Sequence, residues 1–91
     1  MNLREGILDA LVDDGESIVQ IVEYLNYLKI KFDTVQVIKQ LEQLLIEEKI
    51  RIEYPPDSKG LQQINRNKVG DYWFELNQIG REEWGKIDQP S

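Results

Sequence analysis

Residues 41–54 read Leu41-Glu42-Gln43-Leu44-Leu45-Ile46-Glu47-Glu48-Lys49-Ile50-Arg51-Ile52-Glu53-Tyr54, and the hydrophobic period changes inside them. Leu41, Leu44 and Leu45 repeat at helical spacing and extend a stripe begun by Val37 and Ile38. Lys49 to Tyr54 alternates strictly, as a half-buried strand does. The stretch therefore predicts a helix that gives way to a strand within a few residues. Pro55-Pro56 ends the strand. A polar run from Asp57 to Gly70 follows, and Asp71 to Leu76 alternates again. Two strands around a long polar loop predict an antiparallel hairpin. Tyr72, Phe74 and Leu76 share one side of it with Ile50, Ile52 and Tyr54. Trp73 and Glu75 take the other side, with Lys49, Arg51 and Glu53.

Upstream, capping signals divide the chain. Asn2 with Glu5, Ser17 with Gln20 and Asp33 with Gln36 each have capping-box spacing. They open helices at about 3–13, 18–28 and 34–48. The first two carry apolar stripes, Leu3, Ile7, Leu8, Leu11, Val12 and then Ile18, Ile21, Val22, Leu25, Leu28. Asp13-Asp14-Gly15-Glu16 reads as a solvated turn, because it lacks the alternating ligands of a calcium loop. Downstream, Asn77 caps a short helix over about 78–86, carrying Ile79, Trp84 and Ile87. The expected fold is α+β: three helices, a two-stranded wing hairpin and a short C-terminal helix. Residues 1–87 form one domain and 88–91 a frayed tail.

That order is the layout of a winged helix-turn-helix. The stretch Leu41-x-x-Leu44-x-x-x-x-Lys49-Ile50 resembles the helix-to-wing passage of MarR- and PadR-like regulators. Tyr72-Trp73-Phe74-Glu75-Leu76-Asn77-Gln78-Ile79-Gly80-Arg81 resembles their wing exit, with Asn77 where threonine usually caps the helix. The resemblance implies a DNA-binding transcription regulator, although the same fold also serves as a protein-binding module. It implies that the third helix enters the major groove. Gln36, Lys39, Gln40, Gln43 and Glu47 occupy its polar face, and of these Gln36, Lys39, Gln40 and Gln43 are the reading candidates, since glutamine can pair with adenine and lysine with guanine or phosphate. An ordinary solvated helix surface would carry the same residues. Lys59, Arg66 and Lys68 lie in the loop and suit phosphate oxygens, or simply a flexible solvated loop.

Composition narrows the rest. The 91 residues carry a net charge of −6, with no histidine and no cysteine. No Ser-His-Asp or Cys-His set can be built from them, and no glycine-rich phosphate loop is present. An enzyme is not expected, nor a metal or cofactor. No apolar run approaches the ~20 residues of a membrane span. A cytoplasmic protein away from membranes is expected. The charge is uneven: residues 1–50 carry −5, residues 51–70 carry +2 and residues 71–91 carry −3. The wing is thus the basic segment of an acidic chain. Lys39, Lys59, Arg66 and Lys68 would neutralise fewer phosphates than the ~6–10 contacted by tight DNA binders, so double-stranded DNA would call for a homodimer. The alternative partner is a protein. Its interface candidates are an aromatic surface or an acidic one. The aromatic surface has Trp73 on the polar side of the hairpin, Arg51 beside it and Tyr27 opposite the core stripe of the second helix. The acidic one, around the first helix (Glu5, Asp9, Asp13, Asp14, Glu16) or the last (Glu82, Glu83, Asp88), would meet a basic partner or simply keep the domain soluble. Two other fates are open to Trp73: cover by Trp84, or stacking over Arg51.

Overall fold

The computed structural model describes residues 1–87, and the expected tail at 88–91 lies outside them. The chain forms α1 (Leu3–Leu11), β1 (Glu16–Ser17), α2 (Ile18–Tyr27), α3 (Thr34–Ile46), β2 (Ile50–Tyr54), β3 (Trp73–Leu76) and α4 (Gln78–Gly85). Two short 3-10 turns, Pro56–Ser58 and Arg66–Asp71, lie in the loop between β2 and β3. The fold is mixed α+β. Among the described residues no helix is long and apolar enough to cross a membrane.

Each helix starts where its cap predicts. Asn2, Ser17 and Asp33 accept from the backbone N–H of Glu5, Gln20 and Gln36, and those three side chains reach back to the cap N–H groups. Asn77 accepts from Gly80 N–H and opens α4. The reciprocal bonds satisfy N–H groups that the first helical turn leaves unpaired. At the far end of α3, Glu48 adopts a left-handed φ of 59°. Lys49 N–H then reaches Leu44 O and Glu48 N–H reaches Leu45 O, which closes the helix and turns the chain into β2.

The sheet differs from the expected hairpin. It has three antiparallel strands in the order β1-β3-β2, so β3 is central. Glu16 pairs with Phe74 and Ser17 with Trp73. The predicted turn before α2 therefore ends in a two-residue strand, too short to show an alternation.

A second correction concerns Tyr54. Ile50 pairs with Leu76, Arg51 with Glu75 and Ile52 with Phe74, but the next pair is Tyr54 with Trp73. One extra residue, Glu53, is inserted on β2. A bulge moves every later side chain to the opposite face. Tyr54 thus leaves the apolar side expected from the alternation and lies on the outer face, more than half exposed.

The inner face of the sheet packs under the helices. Phe74, Ile52, Ile7, Leu8, Leu25, Leu41 and Leu44 are fully buried at its centre. Val37, Ile38, Leu41, Leu44 and Leu45, the predicted stripe of α3, are all buried. Ile79 is not: it is largely exposed, whereas Trp84 and Ile87 pack on the core. Arg4 of α1 bridges Glu47 at the end of α3 (2.8 Å) and Glu83 of α4 (2.7 Å), and Lys49 joins Glu83 at 3.3 Å.

The long loop is not a free solvated segment. Ile64 is buried in the core, and its N–H donates to Glu42 of α3 at 3.0 Å. Arg66 pairs with the other oxygen of the same carboxylate at 3.0 Å. Asn65 N–H reaches the Tyr72 hydroxyl at 3.3 Å. The loop is folded back on α3 instead of projecting from the sheet.

Candidate functional site

The polar face of α3 keeps only part of the donor set read from the sequence. Gln36 is exposed, but its side-chain oxygen accepts Asp33 N–H at 2.8 Å as half of the helix cap. Gln43 donates to Glu47 at 2.7 Å. Arg66 is held by Glu42, as described. Lys39 is exposed and Gln40 half-buried. Lys39, Lys59 and Lys68 form no ion pair among the described residues. The two loop lysines lie beside carboxylates and rings: Lys59 lines a groove with Glu53, Tyr54 and Trp73, and Lys68 one with Asp57, Asp71 and the same two rings.

The aromatic candidates are placed differently from one another. Tyr27 is 77% exposed at the end of α2. Its ring stacks on Tyr24, with centroids 6.0 Å apart. The Tyr24 hydroxyl donates to Asp9, and that bond to a carboxylate pushes its pKa up to about 12. Asp9 also accepts from the Trp84 indole at 2.9 Å. Trp84 is thus turned toward α1 and is engaged there. Arg51 pairs with Glu75, its register partner on β3. Trp73 remains 38% exposed.

The bulge places Tyr54 directly opposite Trp73. Both rings lie on the outer face, and Ser17 of β1 flanks Trp73 on the other side. The two exposed rings make a ridge, and both of them line each of two grooves, of about 560 and 570 Å³. Glu53 and Lys59 line one groove; Asp57, Lys68 and Asp71 are among the residues lining the other. The Glu53 carboxylate reaches across the sheet toward Gly15, where a Cβ would overlap it. Strict alternation concealed Tyr54 and Glu53 from the sequence, since it carries no mark of an inserted residue. The neighbouring Pro55-Pro56 marked only the end of the strand.

On the inner face Glu16 is half-buried, and its Oε2 is enclosed without a hydrogen-bond partner. Burial, then Asp14 and Asp13, push its pKa up from the ordinary 4.5. Among the described residues no group of three or more acidic or other ligating side chains is arranged to hold a metal ion. Compared with known proteins, the chain matches no family model, no curated protein and no solved structure.

Proposed function

We propose that the chain is a winged-helix module that works by binding a protein partner through the outer face of its sheet. The order α1-β1-α2-α3-β2-β3 with a β1-β3-β2 sheet supports the winged-helix class. The observation that carries the function is the bulge, which sets Tyr54 beside Trp73 as an exposed aromatic ridge. Tyrosine and tryptophan supply large contact area and dominate the energetics of protein interfaces. Tyr27 stands apart on α2 and is a secondary contact in this scheme.

A specific feature also favours double-stranded DNA. The exposed positions of α3, Thr34, Val35, Gln36, Lys39, Gln43 and Ile46, include a lysine and no carboxylate. The count of free cations weighs against it. With Arg66 bound to Glu42, the free groups of the proposed contact set are Lys39, Lys59 and Lys68, well below the ~6–10 contacts of tight binders.

Affinity capture with the full chain, the double variant Tyr54→Ala/Trp73→Ala and Lys39→Glu separates the two. The protein-binding reading requires that a partner held by the wild type is depleted at least ~10-fold by the double variant, since each anchor contributes about 1–2 kcal/mol or more. Equal capture by the double variant refutes it. Salt-sensitive retention on duplex DNA, lost in Lys39→Glu, would establish the DNA reading in its place.

A further inference from the structure

The grooves beside the rings hold one more carboxylate than lysine, which narrows the chemistry of what the face receives. Glu53, Asp57 and Asp71 line the two grooves against Lys59 and Lys68, and none of the three acids is ion-paired among the described residues. Asp13 and Asp14 immediately precede Gly15, the residue that the Glu53 carboxylate abuts. Arg51 adds no free charge, because it is neutralised by Glu75. An electron-rich ring face attracts a cation, and guanidinium groups in particular stack on tyrosine and tryptophan. Carboxylates beside the rings then give the same cation its ionic partner. A second copy of the chain is a poor occupant, because each copy carries −6 and that net charge opposes association of two copies.

We infer that the ridge of Tyr54 and Trp73 receives a basic, arginine-bearing segment of a protein partner, with a guanidinium over the rings and the carboxylates of Glu53, Asp57 and Asp71 around it. This rests on the outer face being the interface. Its charge requirement can fail while the interface stands.

The test is an NMR titration of the full chain with three probes: an oligo-arginine peptide, an oligo-glutamate peptide and a neutral peptide of proline and leucine. The Trp73 indole N–H reports the ridge, and the Trp84 indole N–H, bonded to Asp9, serves as the internal control. Oligo-arginine is expected to shift the Trp73 indole and the amides of 53–57 and 71–75, leaving the Trp84 indole in place. Its affinity should fall about 10-fold between about 50 and 300 mM NaCl, as screening of partly exposed charges requires. Trp73→Ala should weaken it about 5- to 10-fold. Glu53→Gln, which keeps the side-chain shape, should weaken it about 3-fold. Shifts centred on other acidic surfaces, an affinity unchanged in Trp73→Ala, or no binding of oligo-arginine would each overturn the inference. Tight, salt-independent binding of the neutral peptide at Trp73 would also overturn it, while leaving the interface reading intact. If no probe moves Trp73 and the double variant still captures its partner, both fall.

Discussion

Replacing Glu83 with glutamine keeps the shape of the side chain and removes its charge from the junction of α1, β2 and α4. Glu83 accepts from Arg4 Nε at 2.7 Å and Nη2 at 2.8 Å, and Lys49 Nζ lies 3.3 Å away. The fork of Arg4 holds its carboxyl down to about 2, with Lys49 adding to the effect. Charge-assisted hydrogen bonds contribute about 1.5–3 kcal/mol each when shielded. The side chains here are about a quarter exposed, which screens the interaction. The net loss expected for Glu83→Gln at neutral pH is therefore about 1–2 kcal/mol. For a chain of this length that lowers Tm by about 5–10 °C. The pH dependence follows from the depressed value. Between the ordinary 4.5 and about 2 the folded state holds fewer protons at Glu83 than the unfolded state does. The stabilisation is complete above the unfolded value and disappears as pH falls toward the folded one. Thermal melts followed by circular dichroism at pH 7, and in steps from pH 6 to 2, measure both effects. The wild type and the variant should converge across that window. A variant melting within ~1 °C of the wild type at pH 7, or a gap that does not narrow on acidification, refutes the reasoning.

Other perturbations test separate parts of the structure. Gly80→Ala should cost about 2–3 kcal/mol by chemical denaturation, because its Cβ would overlap the carbonyl oxygen of Lys49, a backbone atom that cannot swing away. Glu42→Ala should release the folded-back loop: hydrogen exchange at Ile64 should quicken ~10-fold or more while the β2–β3 amides keep their protection. Glu16→Gln should stabilise, raising Tm by about 3 °C at pH 7. The sign is opposite to that of Glu83. The pKa of Glu16 is raised, so the stability it permits is present below 4.5 and is lost as pH rises through its folded value. The advantage of the glutamine should therefore vanish in acid.

Local features were legible and long-range ones were not. All four helix starts follow from Asn2, Ser17, Asp33 and Asn77, since a cap and its target lie three residues apart. The stripe of α3 is buried as its spacing predicts. Gln36 shows the boundary between the two kinds of inference. Its position marks both a capping partner and a base-reading candidate, and in the fold its side-chain oxygen is engaged by the cap. Arg66 and Glu42 lie 24 residues apart, so no local pattern links them. Without that pair the loop reads as an exposed basic wing.

The sequence by itself determined the helix starts, the buried stripe of α3 and the alternation of Ile50 to Ile52 and of Tyr72 to Leu76. Their causes, caps and side-chain period, act within a few residues. It also determined that no histidine or cysteine is present for catalysis or metal binding. Tertiary structure alone decided the third strand, the face that Tyr54 takes and the fate of the loop. Glu16–Ser17 becomes a strand only because β3 offers it a free edge. Tyr54 turns outward because pairing to β3 leaves Glu53 as an extra residue, and the preference for one register comes from burying Ile52 against Phe74. The candidate site is this last kind of feature: two rings 19 positions apart in the chain, adjacent only after the strands have paired.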